Sequence, residues 1–403
     1  MNDLYIAVGA MGLALVVSLL VFPKTLRFAR QHDIVDNPNA RKLQRVPVPV
    51  LGGVAVYTGI MTGAVLLLVF DQNPLLMWTL MGMTVMQVIG TWDDMEDISS
   101  VLRFLIEVAL VGAFIALTGV YMDDLHGLWG VNAIPPEIGI PLSIASGVGI
   151  INATNLIDGV DGYASGFGMM ASVLFALTFW SVWDHSMVTM AMIVAGALLP
   201  FFMHNVFGVR SKMFMGDGGT LMLGVLMTVF VLYTQSSQTP CDELADRGVS
   251  LTAMALAMLC IPVFDTVRVM SARVLRGRSP FRPDKTHLHH LFIDMGFSHL
   301  GAALFILFLN LLVVTVWFVA YLLGASIDMQ TYLVLLMGFG VTFGFYKLMR
   351  NQQNGGPQDE EGYPMGTWLW HMMCRLGNWT HRADKRSWRV MRWLMDGPMM
   401  RGR

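Results

Sequence analysis

Residues 300–323 read LGAALFILFLNLLVVTVWFVAYLL, a stretch of 24 positions without a charged side chain. An α-helix needs about 20 consecutive apolar residues to cross the hydrocarbon core of a bilayer. Apolar stretches of this kind recur along most of the chain and are separated by short polar loops. The pattern predicts an all-α fold, that of a polytopic integral membrane protein.

The overall composition agrees with a membrane location. Hydrophobic residues make up 55% of the 403 residues and charged residues only 13%, whereas soluble domains carry about 25% charged residues. This balance excludes a soluble globular enzyme, a disordered chain and a nucleic-acid-binding protein. The three cysteines form no CxxC pattern, so neither a disulfide framework nor a thiolate metal site is expected; they are Cys241, Cys260 and Cys374.

We predict eleven membrane spans, which make residues 1–350 a polytopic body and residues 351–403 a basic, Trp-rich tail. Residues 351–362 have the composition of a flexible linker. The following tryptophans and basic residues are typical either of an amphipathic segment on the inner leaflet or of a poorly ordered tail. The predicted spans are 4–22, 48–70, 74–91, 102–119, 136–151, 165–183, 187–207, 219–234, 250–271, 300–323 and 329–348.

The distribution of basic residues predicts the orientation. Lysine and arginine are concentrated in cytoplasmic loops of membrane proteins. With the N-terminus outside and eleven spans, the C-terminus is cytoplasmic, and Arg247 is the single basic side chain of the 26 that falls on the outer face. We therefore expect a multi-pass membrane protein whose basic loops face the cytoplasm.

The first polar group is the run Asp93-Asp94-Met95-Glu96-Asp97 at the inner end of the third span. On a helix Asp93 and Asp97 would share a face, with Asp94 adjacent. Like charges this close repel, so a cation should be nearby, and carboxylate oxygens suit Mg²⁺, with Mn²⁺ as an alternative. An ordinary solvated acidic loop is the competing interpretation.

The second polar group repeats an amide or a carboxylate at every third position. This spacing predicts one polar edge of a helix, and the glycines at 159 and 162 would allow a ligand to approach the backbone. A capped loop is the alternative. The repeated residues are Asn152, Asn155, Asp158 and Asp161.

The third group is Gly216-Asp217-Gly218-Gly219, just before the eighth span. Asp217 falls where a helix begins, and free backbone N–H groups at that end favour anions. An N-cap aspartate is the simpler interpretation, but a cap alone does not require three glycines.

The fourth group lies in loop 272–299, where a basic cluster precedes three histidines. The arginines suit anionic lipid or a phosphorylated substrate, and the histidines can donate hydrogen bonds to phosphate. No cysteine or carboxylate set completes a zinc site. Nearby, Asp265 and Arg268 are expected to form a structural pair. The candidate substrate-binding residues of the loop are Arg278, Arg282, His287, His289 and His290.

Together the carboxylates predict a divalent cation, and the basic groups predict phosphate, at one membrane surface. A phosphoryl transfer from a cytosolic anionic donor to a lipid acceptor needs this combination. The rival from another class is an ion-coupled transporter. It would need ionisable groups near mid-bilayer, whereas the acidic residues here crowd the span ends on one side.

At these motifs the chain resembles the polyprenyl-phosphate N-acetylhexosamine-1-phosphate transferases, the glycosyltransferase 4 type. Four motifs occur in family order over roughly residues 20–300: TWDDMED, NATNLIDGVDG, FMGDGGTLMLG and PDKTHLHHL. The spacing of His287, His289 and His290 is similar to the branch with UDP-GlcNAc-like donors (the WecA and TagO types). The phospho-MurNAc-pentapeptide transferases usually carry three consecutive histidines and remain an alternative.

The resemblance implies roles for individual residues. Asp93 and Asp94 match the catalytic aspartates. Asp217 matches a magnesium ligand, and Asn155 lies among the residues around the metal and the nucleotide sugar. Lys42 matches a basic residue of the first cytoplasmic loop, where Gln44 stands in place of a family histidine. The remaining matches are substrate-binding: Asp158, Asp161, His287, His289 and His290. Asn152, from the same row of polar residues, is a further candidate for substrate binding.

The resemblance also implies the partners. The donor is a UDP-N-acetylhexosamine and the acceptor is undecaprenyl phosphate in the lipid bilayer, with UMP as the leaving group. The product would be a lipid-diphosphate-linked sugar that initiates cell-envelope glycan synthesis. Nucleic acid is not an expected partner, and a homodimer is an open alternative to a monomer.

Overall fold

The computed structural model describes residues 2–38, 44, 46–96, 98–280, 285–355 and 368–396. Within these residues, ten single helices are long and apolar enough to cross a membrane, and the number is eleven if a bent pair of helices is counted as one further span. The predicted all-α architecture with about eleven spans is confirmed. The direction in which the chain enters the membrane stays a prediction.

Seventeen helices and two small antiparallel strand pairs form the described chain. The strands are β1 (Val35–Asp36) with β2 (Val48–Pro49), and β3 (Asp124–Leu128) with β4 (Val131–Ala133). The helices are α1 (Asn2–Gln31), α2 (Gly52–Phe70), α3 (Pro74–Met95), α4 (Ser100–Thr118), α5 (Pro136–Leu156), α6 (Tyr163–Ser181), α7 (His185–Phe207), α8 (Gly216–Thr234), α9 (Asp242–Asp246), α10 (Leu251–Met258), α11 (Cys260–Leu275), α12 (Leu288–Asp294), α13 (His299–Leu322), α14 (Ile327–Phe339), α15 (Tyr346–Gly355), α16 (Trp368–Ser387) and α17 (Arg389–Met395), with a π-helical turn at Gly340–Phe345 between α14 and α15.

Local sequence signals explain where several spans begin. Proline is favoured at the first helical position because its fixed φ suits a helix and its missing N–H would have no partner there. Pro74 and Pro136 begin α3 and α5 in this way. The Asn73 side chain accepts a hydrogen bond from the Leu75 amide, and the hydroxyl of Ser99 accepts one from Leu102.

Three helices run beyond their predicted ends toward the polar groups. Helix α1 continues through Pro23 to Gln31, and α3 reaches Met95 rather than residue 91. Helix α5 extends to Leu156 rather than residue 151. The carboxylates of Asp93 and Asp94 therefore stand on the last turns of a spanning helix.

The span predicted at 250–271 is broken into two helices. Helices α10 and α11 meet at an angle of 80° around Leu259. Asn310 of α13 stabilises the break: its amide oxygen accepts from the Ile261 N–H at 2.9 Å, and its amide nitrogen donates to the carbonyls of Ala257 and Met258 at 3.2 and 3.0 Å. One buried side chain thus satisfies backbone groups that the bend leaves unpaired.

Helix α8 lies at the centre of the bundle, and every one of its residues from Gly218 to Thr234 is buried. Its first turn touches the backbone of neighbouring helices at glycines. A Cβ on Gly90 of α3 would fall 2.5 Å from the Asp217 carbonyl carbon, and a Cβ on Gly53 of α2 would fall 2.5 Å from Gly219. The glycines of α2, α3 and α8 therefore bring the ends of these helices together.

The tail contains two helices, α16 and α17. Trp370 and Met373 are buried against the body, whereas Trp368, Trp379 and Trp393 are exposed. Contact of the exposed tryptophans with a membrane stays a prediction. Part of the predicted linker is helical, since residues 351–355 continue α15, and the rest of it lies outside the described residues.

Candidate active site

The centre of the site is an arginine shared by two aspartates. Nη1 of Arg103 lies 2.8 Å from Oδ2 of Asp93 and 2.9 Å from Oδ2 of Asp217. Arg103 is in the first turn of α4, Asp93 near the end of α3 and Asp217 in the first turn of α8. Asp217 keeps 37% of its side chain exposed, so a ligand can still reach this carboxylate.

Asp94 binds the beginning of α8. Its Oδ1 accepts from the Asp217 N–H at 3.0 Å, and its Oδ2 accepts from the Gly218 N–H at 3.4 Å. A carboxylate at this end satisfies free amides and meets the positive end of the helix dipole. Asp217 therefore does not act as the N-cap, and its own carboxylate points to other partners.

Two asparagines of α5 complete the support of this cluster. Nδ2 of Asn155 donates to Oδ1 of Asp217 and to the hydroxyl of Thr220, each at 2.9 Å. Nδ2 of Asn152 donates to the fully buried carboxylate of Glu107. Glu107 lies one helical turn after Arg103, so Asn152 is linked to the cluster through α4.

The predicted single helical edge 152–161 is wrong. Only Asn152 and Asn155 are on α5, which ends at Leu156. Asp158 and Asp161 lie in the turn 157–162, which ends at Gly162 with φ +79°. Glycine tolerates this left-handed conformation and aspartate is a poor helix former, so the chain leaves the helix here.

Asp158 nevertheless belongs to the same acidic region. The negative charges of Asp217, Asp161 and Asp94 all act on its carboxylate. The side chain still reaches solvent. Such an accumulation of negative charge favours a bound cation.

Asp161 is held by two basic partners. Its Oδ2 lies 2.6 Å from Nζ of Lys212 and 3.0 Å from Nδ1 of His299. Burial alone would raise the pKa of Asp161, but the hydrogen bonds and charges of His299 and Lys212 lower it below the usual value. Asp161 is therefore a fixed carboxylate that ties the turn 157–162 to two other loops.

The expected pair of Asp265 and Arg268 is confirmed, at 2.6 Å between Oδ1 and Nη2. The other oxygen of Asp265 lies 2.9 Å from Nδ1 of His287. This contact leaves Nε2 of His287 buried, without a partner in the described part of the chain. A ligand atom can therefore pair with Nε2.

His289 connects the histidine loop to the turn 157–162. A Cβ on Gly159 would collide with Nε2 of His289, and the ring of His289 stacks on that of His287 at 5.7 Å and contacts that of His290 at 4.4 Å. Burial, reinforced by His290 and His287, lowers the pKa of His289 well below 6.5. His289 is therefore neutral at pH 7.

Other predicted residues are not joined to this cluster. Lys42, Arg282 and Asp97 lie outside the described residues. Arg278 is exposed, and no hydrogen bond or ion pair joins its side chain to the aspartates in the described ranges. Arg273 is buried and donates to the Pro280 carbonyl at 2.6 Å, which stabilises its own loop.

Any metal ion bound here would need ligand atoms from a substrate or from water in addition to the protein side chains. Among the described residues, no group of three or more His, Cys, Asp or Glu side chains could hold a metal ion. Magnesium in proteins is commonly bound by one or two carboxylates, together with substrate phosphates and water. The exposed carboxylate of Asp217 fits that pattern, while Asn155 supports Asp217 through its amide nitrogen. The assignment of both as metal ligands stays a prediction.

Sequence reasoning missed four residues of the site: Arg103, Glu107, Lys212 and His299. None of these four residues belongs to one of the four motifs. The available signal for Arg103 and Glu107 was their spacing of four positions at the start of an apolar span. A buried charge in a span is costly and commonly marks a functional partner.

The fold and the site together define an integral membrane protein with one acidic site at the ends of its spans. Residues 75–235 match the model of glycosyl transferase family 4.

Similarity to individual proteins extends beyond that segment. The chain is 29% identical to the undecaprenyl-phosphate alpha-N-acetylglucosaminyl 1-phosphate transferase of Escherichia coli K12, over 74% of this chain and 79% of the relative. It is 28% identical to the enzyme of the same name in Yersinia pestis, over 68% and 73%. A protein named as a probable undecaprenyl-phosphate N-acetylglucosaminyl 1-phosphate transferase, from Bacillus subtilis 168, is 29% identical over 72% and 78%.

Proposed function

We propose that the protein transfers an N-acetylhexosamine-1-phosphate, namely GlcNAc-1-phosphate, from a UDP-sugar to undecaprenyl phosphate and releases UMP. The observation that carries the proposal is the pairing of Asp93 and Asp217 with Arg103, next to Asp94 bound to the first turn of α8, at the ends of three helices. The names of the relatives support the same acceptor and the same sugar phosphate.

The lipid acceptor has an apolar route to this cluster. A cavity of about 930 Å³ lies between α4, α5, α8 and the bent pair α10–α11. Asn152 and Thr266 line it near the site, and Met122 and Leu125 line it toward the opposite face of the membrane. Apolar side chains dominate its wall, as a polyprenyl chain requires.

In the proposed reaction, a phosphate oxygen of the acceptor attacks the sugar-linked phosphorus of the donor. A new P–O–P linkage forms, the bond between the two donor phosphates breaks, and UMP leaves. The acceptor phosphate is mostly ionised at pH 7, since its second pKa is about 6. Asp93 or Asp94 therefore need not remove a proton, and placement of the reactants and charge stabilisation dominate.

We expect Mg²⁺ as the cofactor, with Mn²⁺ as a substitute, held by Asp217 near Asn155. When bound, the ion would neutralise charge on the diphosphate. Arg103 holds Asp217 and Asp93 in place, and Asp94 fixes the first turn of α8 that carries Asp217. His287 and His289 offer ring nitrogens to the donor phosphates beside the turn 157–162.

We propose the cytoplasm as the side of the site. UDP-sugars are cytosolic donors in this scheme, and the basic loops next to the site agree with the positive-inside rule. The enzyme would then be a multi-pass protein of the bacterial inner membrane, with donor binding from water and acceptor binding from the bilayer.

A donor panel with purified protein tests the function. The protein is incubated with undecaprenyl phosphate, Mg²⁺ and UDP-GlcNAc, UDP-GalNAc or UDP-MurNAc-pentapeptide, and lipid-linked sugar and UMP are quantified. We expect equimolar products with UDP-GlcNAc. Exclusive use of the MurNAc-pentapeptide donor would assign the chain to the other branch. Uptake of sugar into vesicles without any lipid product would support a transporter instead.

A further inference from the structure

The C-terminal helices α16 and α17 pack against the loops that support the candidate donor site. Trp370 and Met373 of α16 are 5% and 3% exposed. A Cβ on Gly377 would lie 2.7 Å from the carbonyl oxygen of Met295 and 2.7 Å from the ring of Phe297. Helix α16 is therefore in close backbone contact with the segment 295–298, which connects the histidine helix α12 to α13.

The same helix contacts the residue that begins α13. The Ser298 N–H donates to the hydroxyl oxygen of Thr380 at 3.3 Å, while the Ser298 hydroxyl accepts from the Gly301 N–H at 3.0 Å. The next residue is His299, whose Nδ1 lies 3.0 Å from the Asp161 carboxylate. Thr380 thus fixes the turn from which His299 reaches Asp161.

Helix α17 ends in a second contact, on the loop 208–212. Oδ1 of Asp396 accepts from the N–H groups of Arg210 and Ser211, both at 3.0 Å, and from the Ser211 hydroxyl at 3.0 Å; Oδ2 accepts from the Val209 N–H at 3.1 Å. Although burial opposes it, these hydrogen bonds lower the pKa of Asp396. The carboxylate therefore stays ionised and closes the loop.

The loop closed by Asp396 carries the other partner of Asp161. Lys212 follows Ser211 directly, and its Nζ lies 2.6 Å from the Asp161 carboxylate. The ring of Trp388 on the tail adds a contact with Phe207 at 4.8 Å, at the beginning of the same loop. Both basic partners of Asp161 thus extend from segments that the tail contacts.

We propose that the C-terminal helices brace the donor side of the active site, with Asp396 and Thr380 as positioning residues that hold Lys212 and His299 on Asp161. The proposal rests on the proposed function, since it takes Asp161 as part of the donor site. It assigns the tail a role in binding of the UDP-sugar and none in the chemical step.

Steady-state kinetics of Asp396→Ala in the full-length protein test whether the tail positions the donor side of the site. We expect the KM for UDP-GlcNAc to rise about tenfold, as expected for loss of charged hydrogen bonds, with kcat and the KM for undecaprenyl phosphate within twofold of wild type. In a Lys212→Met background, Asp396→Ala should add little, because the side chain that it positions is already gone. Arg375→Ala, an exposed residue of α16, is the matched control and should behave as wild type.

Hydrogen exchange provides a readout that does not depend on the transferase activity. In Asp396→Ala the amides of residues 209–211 should exchange at least about tenfold faster, because they lose their acceptor. An unchanged exchange rate at 209–211, an unchanged KM for the donor, or an equal effect of Asp396→Ala in the Lys212→Met background would each overturn the brace. Absence of lipid-linked product in wild type with every donor would instead overturn the proposed function, while the exchange experiment would still decide whether Asp396 holds the loop.

Discussion

At the scale of single residues, Arg103 is the group on which the acidic cluster depends. Its guanidinium lies between Asp93 and Asp217 at 2.8 and 2.9 Å. Without it, two carboxylates would repel each other and lose their common position. We expect Arg103→Gln to lower the rate of UMP release by at least about tenfold, since it removes charged hydrogen bonds worth roughly 1.5–3 kcal/mol each.

The control for this prediction is Arg247→Gln, which breaks an ion pair of 3.1 Å with Glu243 at the opposite ends of the spans. Arg103→Lys should retain more activity than Arg103→Gln, because it keeps the positive charge. A wild-type rate for Arg103→Gln would show that the two aspartates do not need this partner.

His289 carries a pH prediction. Its buried ring has a pKa well below 6.5, so below pH 6.5 the unfolded chain binds a proton that the folded chain does not. Stability should therefore fall as the pH drops from 7.5 to 5.5, by up to about 1.4 kcal/mol for each pH unit below 6.5 from this residue. Thermal unfolding midpoints in detergent, compared between wild type and His289→Gln, should show a shallower pH dependence in the variant; equal slopes would contradict the assignment.

Which site residues could be predicted depended on whether they occur in a local motif. Asp93, Asp94 and Asp217 stand in polar clusters that an apolar chain does not otherwise contain, so the sequence singles them out. Arg103 binds Asp217 across 114 positions, a contact created by the packing of α4 against α3 and α8. Spacing along one segment contains no information about such a contact.

At the scale of elements, the broken span α10–α11 depends on one amide. Asn310 makes three hydrogen bonds to backbone groups at the 80° bend, and its side chain is buried. Replacement by leucine would leave buried donors and acceptors unpaired at about 1–3 kcal/mol each. We expect Asn310→Leu to lower the unfolding midpoint markedly, whereas Leu311→Ala, at an exposed position of the same helix, should change it little. An unchanged midpoint in Asn310→Leu would show that the bend is held by other contacts.

The elements themselves were largely predictable, because apolar length and flanking prolines determine where a helix can span a bilayer. The structure of the polar segments at the helix ends could not be predicted in the same way. The spacing of Asn152, Asn155, Asp158 and Asp161 fits a helix, but glycines at 159 and 162 end the helix and turn the last two residues into a loop. The bend at Leu259 was also missed, since apolar composition does not distinguish one straight span from two short helices.

At the scale of the whole molecule, the orientation in the membrane is open to a direct test. Leu275 is the last residue of α11, at the same ends of the spans as the site, and is 87% exposed. Leu323 follows α13 at the opposite ends of the spans and is 82% exposed. In a Cys374→Ser background, a membrane-impermeant maleimide added to intact cells should label Leu323→Cys and spare Leu275→Cys. Both should react after permeabilisation. The opposite pattern would place the site outside the cell.

The most direct measurement of the central claim uses UDP-GlcNAc labelled in the phosphate next to the sugar. Purified wild type with undecaprenyl phosphate and Mg²⁺ should transfer this label to lipid and release one UMP per labelled lipid. Asp217→Asn should lower both by at least about a hundredfold, on the order of a lost transition-state interaction. Asp246→Asn, exposed on the opposite face, should match wild type. Release of UDP in place of UMP, or near-wild-type turnover by Asp217→Asn, would contradict the account.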